Sequence, residues 1–161
     1  MLAELKIIGC ILIACSGLYT GIKILSESST NVEHTEAIYE LISAIKIKIE
    51  ALCIPIPDIL SEINRETLIN CGYSCEELPE NCEELLEKCA FKDDKPLFEL
   101  FSSFVNALGK GYKKEELAKC DLSTNELQLL LKKRKDEREK RKKTVPAVCI
   151  CISAGIIVLL L

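Results

Sequence analysis

Residues that enzymes use for catalysis are scarce in this 161-residue chain, which has one histidine, no tryptophan, four Phe and four Tyr. The histidine, His34, lies between Glu33 and Glu36 in a polar stretch, where we expect a solvated side chain. The chain has no Cys/His pair, Walker A loop, glycine-rich dinucleotide motif or CxxC pair. We therefore expect no enzyme, and we assign no metal ion and no cofactor.

Charged residues are missing from one long stretch at each end of the chain. Residues 7–22 and 145–161 form uncharged runs of 16 and 17 residues, and a bilayer-spanning helix needs about 17 to 25 mostly apolar residues. Adding Ile24 and Leu25 brings the first run to that length. We predict transmembrane helices at residues 1–25 and 145–161, with one domain at residues 26–144.

Charge is segregated between the middle of the chain and a short block that follows it. Residues 26–131 carry 21 acidic and 10 basic side chains, a net charge of −11, which argues against nucleic-acid binding. Residues 132–143 carry nine basic and three acidic side chains. Since basic residues beside a span stay on the cytoplasmic side, we predict a cytoplasmic domain with a membrane-proximal basic helix. Its basic residues, which also suit anionic headgroups, are Lys132, Lys133, Arg134, Lys135, Arg138, Lys140, Arg141, Lys142 and Lys143.

An alternative for the N-terminus is export. Residues 12–15, Leu-Ile-Ala-Cys, have the form of a bacterial lipoprotein cleavage site, which would place the middle domain outside the cell. The apolar stretch continues beyond Cys15 to Leu25, however, which is longer than the apolar region of a typical signal peptide.

The apolar spacing predicts an all-α protein. A stripe at steps of three and four marks a helix over residues 32–52, and its members are Ile38, Leu41, Ile42, Ile45, Ile49 and Leu52. Further helices are predicted over residues 58–70, 80–90 and 95–108, the last capped by Asp94. A capping-box pattern at residues 123–126 predicts the start of a long final helix. We expect an antiparallel helical bundle in which the first and last helices are neighbours, with Pro146 kinking or restarting the second span.

Four central cysteines leave a choice of roles. A seven-residue spacing separates the last three by about 10 Å per step along a helix, which does not converge on a metal ion. Small buried hydrophobes in a reducing cytoplasm are the favoured interpretation, and a metal or redox site is the alternative. The four are Cys71, Cys75, Cys82 and Cys89.

A cluster of glutamates accompanies the third predicted helix. Acidic residues near a helix N-terminus favour its dipole, so a solvated helix face explains them. The alternative is a docking patch for a basic partner. The six candidates are Glu76, Glu77, Glu80, Glu83, Glu84 and Glu87.

The order of these segments resembles the stage III sporulation protein AB family of spore-forming Firmicutes. Four segments carry the resemblance: GLYTGIKI at residues 17–24, the helix and proline break at residues 37–60, FVNALGKG at residues 104–111, and the C-terminal IIVLLL. The residues that match the family pattern are all expected to be structural. They are Leu41, Ile45, Ile49, Pro55 to Pro57, Leu108 and Gly109.

The resemblance implies a helical domain similar to the platform proteins of type II secretion and type IV pilus systems. It implies a place in the mother-cell membrane facing the forespore, within a channel complex required for sporulation and beside a secretion-type ATPase. No nucleic acid and no small-molecule substrate is expected. The alternative function is a membrane-tethered metal or redox sensor that uses the central cysteines.

Overall fold

The computed structural model describes residues 2–52, 56–73, 81–88 and 90–160, and no strand occurs among them. The predicted all-α class is confirmed. Six α-helices are described, with a 3₁₀ turn at Ala90–Asp93. They are α1 (Leu2–Leu52), α2 (Ile56–Ser61), α3 (Arg65–Asn70), α4 (Cys82–Lys88), α5 (Lys95–Ala107) and α6 (Lys113–Leu160).

The chain divides into two compact units. The terminal unit comprises residues 1–30 and 134–161, and the bundle unit comprises residues 31–133. Within the part of the chain that the structure describes, no helix combines the length and the apolar character needed to cross a membrane. The predicted spans at residues 1–25 and 145–161 therefore lack support from the described helices.

The core of the bundle unit follows the apolar stripe of α1. Five predicted members are buried, namely Ile38, Leu41, Ile42, Ile45 and Ile49, while the side chain of Leu52 lies outside the described residues. The stripe packs with buried residues from the other helices because each presents only one apolar face. These partners include Ile59, Leu68, Phe91, Leu97, Phe101, Phe104, Val105 and Leu127.

Helix α5 confirms its predicted start. The Asp94 side chain accepts a hydrogen bond from the Leu97 amide at 3.5 Å, and Pro96 lies in the first turn, where no helical N–H is needed. The rings of Phe91 and Phe101 meet edge to face at 5.8 Å between centroids. Phe104 stacks on Phe101 at 6.5 Å, so α5 supplies the aromatic part of the core.

Helices α1 and α6 are antiparallel neighbours within the bundle unit, as predicted. Gln128 donates a hydrogen bond to the Tyr39 hydroxyl at 2.8 Å, and Lys46 pairs with Asp121 at 2.5 Å. From the first contact to the second, the residue number rises by seven in α1 and falls by seven in α6, which is the register of antiparallel helices. This register places the beginning of α6 beside the end of the bundle portion of α1.

Two helix boundaries differ from the prediction. The segment predicted as one helix over residues 58–70 is divided into α2 and α3, because Asn64 caps a new start by accepting from the Glu66 amide at 3.0 Å. The predicted helix start at residues 123–126 is wrong, since α6 begins at Lys113. Thr124 instead donates its hydroxyl to the Cys120 carbonyl at 2.9 Å, a bond that a threonine makes inside a helix.

The terminal unit holds a close contact between two helices. A β-carbon added at Gly17 would lie 2.7 Å from Ser153 Oγ, and one added at Gly21 would lie 3.2 Å from Cys149 Sγ. The two glycines are four residues apart, the GxxxG spacing that lets helix backbones approach closely. Helix α6 passes through Pro146 in this unit without ending.

Candidate partner-docking surfaces

The predicted glutamate patch is only partly assembled by α4. Glu83 and Glu87 are exposed and lie one turn apart, on one face of the helix. Glu84 is half-buried and forms an ion pair with Lys88, so its carboxylate is less accessible to a basic partner than predicted. Glu76, Glu77 and Glu80 lie outside the described residues. The docking role of this patch stays a prediction.

A second acidic surface lies between α1 and α3 and was not predicted. This acidic groove, with a volume of about 420 Å³, has an exposed apolar residue, Ile69, which is 57% exposed. Spacings of three and four residues put its three glutamates on one face of α1, which is the signal that sequence reasoning missed. The lining residues are Glu33, His34, Glu36, Ala37, Glu40, Ile69 and Asn70.

His34 is not the solvated side chain that the sequence suggested. It is half-buried, and its ring lies 6.2 Å from that of Phe91, tilted by 55°. The aromatic residue that follows α4 in the chain therefore packs beside the polar stretch of α1. Sequence neighbours alone could not reveal that contact.

A buried carboxylate holds the loop between α5 and α6. Glu116 is 7% exposed and accepts hydrogen bonds from the amides of Gly109 at 2.9 Å and Gly111 at 2.8 Å. Lys119 donates to the same carboxylate at 2.8 Å and to the Ala107 carbonyl at 2.7 Å. Gly109 has a φ of 79°, a conformation that glycine adopts without strain.

The ionisation of Glu116 reflects two opposing effects. Burial disfavours the charged carboxylate, but the hydrogen bonds from Lys119 and from the amides of Gly109 and Gly111 outweigh it. Together they hold the pKa of Glu116 below its ordinary value. The loop therefore rests on an ionised side chain at neutral pH.

This loop presents a basic tip, which we define as Lys110, Tyr112 and Lys114. All three side chains are exposed, and Tyr112 is 85% exposed. The neighbouring Lys113 donates to the Glu50 carbonyl at 2.6 Å, which fixes the tip at the end of the bundle portion of α1. The tip is a local positive surface on a unit whose overall charge is negative.

The predicted basic block lies within α6. Arg134 and Arg138 are half-buried, and the other seven basic side chains of residues 132–143 are exposed. Six of those seven are lysines, whose long side chains extend the positive charge into solvent.

Comparison with known families settles the assignment that the segment order suggested. Residues 6–161 match the family described as stage III sporulation protein AB. The chain belongs to the stage III sporulation protein AB family. The match includes Gly17 and Gly21 of the terminal unit, the acidic groove and the loop held by Glu116, and it supports a role in sporulation. No curated protein and no solved structure matches the chain.

Two described cysteines of this family member lie in the core of the bundle unit. Cys71 and Cys120 are buried. Burial, with the neighbouring charges of Glu116 and Asp121, raises the pKa of Cys120 to about 11, so its thiolate is scarce at neutral pH. Among residues 2–52, 56–73, 81–88 and 90–160, no three His, Cys, Asp or Glu side chains are grouped to hold a metal ion.

Part of the predicted cysteine cluster cannot be placed. Cys53, Cys75 and Cys89 lie outside the described residues, as does the side chain of Cys82. The metal or redox alternative for the central cysteines therefore stays a prediction.

Proposed function

We propose that this protein is a membrane-anchored structural component of the mother-cell to forespore channel complex. In that complex it acts as a platform for a cytoplasmic secretion-type ATPase rather than as an enzyme. The observation that carries the proposal is the family match over residues 6–161. The helical bundle unit, with separate acidic and basic surfaces, suits a protein that binds other proteins.

Anchoring in the mother-cell membrane is supported by the apolar surface of the terminal unit. Apolar side chains gain about 25 cal/mol for each Å² removed from water, so such a surface favours burial in lipid or protein. The glycine contact at Gly17 and Gly21 is of the kind that joins helices in lipid. The exposed apolar residues of the unit include Ile11, Leu12, Leu18, Tyr19, Ile22, Val148, Ile150, Ile152 and Val158.

Reporter fusions test this placement. A reporter that is active only after export should be inactive when it is fused after Leu108, because the proposal puts the bundle unit in the cytoplasm. The same reporter fused after Leu161 should be active, which controls for expression. Activity at Leu108, or release of the whole chain into the soluble fraction after cell lysis, would contradict the anchoring proposal.

The ATPase platform is tested with the purified full-length chain in detergent and the purified secretion-type ATPase. Replacing Glu83 and Glu87 with Lys should slow association at low salt, since steering by exposed charge acts mainly on the association rate. Reversal of Glu99 and Glu126, two exposed glutamates on α5 and α6, is the matched control. Unchanged association would exclude the α4 patch, and no binding by the wild type would reject the platform itself.

A further inference from the structure

We propose that the basic tip of one copy docks into the acidic groove of a second copy, so that the protein associates with itself through its bundle unit. The inference does not depend on the ATPase. It rests on two surfaces of one unit that are complementary in charge. Glu33 and Glu40 of the groove are exposed, as are Lys110 and Lys114 of the tip.

The tip is held in place before it meets a partner. Glu116 and Lys119 fix the loop beneath it through the hydrogen bonds described above. Little conformational freedom is then lost on docking, which favours association. Within the described part of the chain, Lys110 and Lys114 make no ion pair. An exposed tyrosine between them is the type of residue that anchors protein interfaces.

The groove offers what this tip requires. Its carboxylates face the same space as Ile69, so an aromatic ring can contact the isoleucine while lysine ammonium groups pair with glutamates.

The contact must join two copies. Lys113 holds the tip beside the carbonyl of Glu50, whereas the groove ends at Glu40. At 1.5 Å per residue, α1 rises about 15 Å between these positions. A tip therefore does not reach the groove of its own chain, and the interface uses a different surface from each copy.

Nucleic acid is a poorer match for the tip. The tip has two lysines, Lys110 and Lys114, whereas binding to a nucleic-acid backbone neutralises several phosphates with a larger cluster of basic side chains. The acidic groove carries the opposite charge to the tip and has an apolar contact beside it.

Cross-linking of isotope-mixed protein tests the contact directly. Equal amounts of unlabelled and ¹⁵N-labelled full-length chain are mixed in detergent and treated with a carbodiimide, which joins a lysine amine to a nearby carboxylate. We expect peptides of mixed isotope that join Lys110 or Lys114 to Glu33, Glu36 or Glu40. A wild type that stays monomeric by sedimentation, or cross-links that join other surfaces, would overturn the proposal.

Charge-reversal variants of the two surfaces, tested alone and as a mixture, show whether the tip and the groove contact each other. The variant Lys110→Glu/Lys114→Glu should weaken self-association about tenfold at low salt, as should Glu33→Lys/Glu40→Lys, and an equal mixture of the two should recover it. Lys142→Glu/Lys143→Glu, at two exposed positions, changes the same number of charges about 40 Å further along α6 than Lys114 and beyond the level of the groove, and it should have little effect.

Two outcomes of the exchange experiment contradict the proposal. Tip-reversed protein that associates as strongly as the wild type would show that the tip is not in the interface. Loss of the mixed-isotope cross-links on addition of single-stranded DNA, with DNA bound at the tip, would assign the tip to nucleic acid instead.

Discussion

Replacing Glu116 with Ala should release the loop between α5 and α6 while leaving the helices in place. The substitution removes the acceptor for the amides of Gly109 and Gly111 and for the Lys119 ammonium group. Glu116 is 7% exposed, so water reaches these donors poorly after the carboxylate is lost. The loss of stability therefore arises mainly from the two amides and the ammonium group, which are left without hydrogen-bond acceptors.

The size of the stability loss in Glu116→Ala follows from the three hydrogen bonds that are removed. A hydrogen bond to a charged group contributes about 1.5–3 kcal/mol, and bonds that share one acceptor do not add fully. We therefore expect a loss of about 3 kcal/mol in the local opening free energy, or about 100-fold faster amide exchange at Gly109 and Gly111. The matched variant Glu116→Gln keeps one acceptor oxygen and should lose about half as much.

The contribution of Glu116 should also depend on pH. The pKa of its carboxyl is lower in the folded protein than its ordinary value of 4.5. Its stabilising effect is therefore fully present above about pH 4.5 and is lost as the pH falls through the folded-state pKa. The difference in stability between wild type and Glu116→Gln should be constant near neutral pH and should shrink in acid.

The assay is hydrogen exchange of the full-length chain in detergent. Mass spectrometry follows the exchange on peptides that cover residues 105–120. Peptides from α1 provide the internal control, because Glu116 does not contact the groove portion of that helix. Exchange at Gly109 and Gly111 that is unchanged in Glu116→Ala would refute the role assigned to this carboxylate.

Three further substitutions or reactions test other parts of the structure. Gly17→Leu should lower the thermal stability of the helix pair in the terminal unit, measured by thermal melting in detergent, since its β-carbon would lie 2.7 Å from Ser153 Oγ. Gly155→Leu should be tolerated, because among the described residues a β-carbon added there meets no atom of another helix within 4 Å. Phe101→Ala should cost about 3–5 kcal/mol in urea unfolding because Phe101 is fully buried, while Leu129→Ala, at a 71% exposed position, should change stability by less than about 0.5 kcal/mol. Iodoacetamide at pH 8 should modify Cys120 slowly in the folded chain and rapidly after unfolding in urea, because this buried thiol has its pKa raised to about 11; equal rates by peptide mapping would contradict that burial.

The helices with a clear apolar period could be predicted from the sequence. In α1 and α5 the residues that repeat at steps of three and four are also the ones that the bundle unit buries. Local pattern and tertiary packing then favour the same structure. The cap at Asp94 was predictable for a similar reason, because its bond to the Leu97 amide joins residues only three apart.

Prediction failed where one local pattern suits two structures. Residues 123–126 fit a helix start, but a threonine hydroxyl is satisfied equally well by the carbonyl four residues earlier within a continuing helix. The Thr124 hydroxyl makes that bond to Cys120, so α6 need not begin there. The choice was decided by packing against α1, through contacts such as Lys46 with Asp121, which no local pattern contains.

The acidic groove and the basic tip show why net charge alone was an incomplete guide to partners. The charge of −11 over residues 26–131 suggested one kind of partner, a basic one. Salt screens charges beyond about 8 Å at physiological ionic strength, whereas the rise along α1 from the groove to the tip is about 15 Å. Each surface therefore acts on its own partner, and the tip attracts acidic groups although the unit as a whole is negative. A basic partner at Glu83 and Glu87 and a second copy at the groove would then bind through separate charges of the same bundle unit.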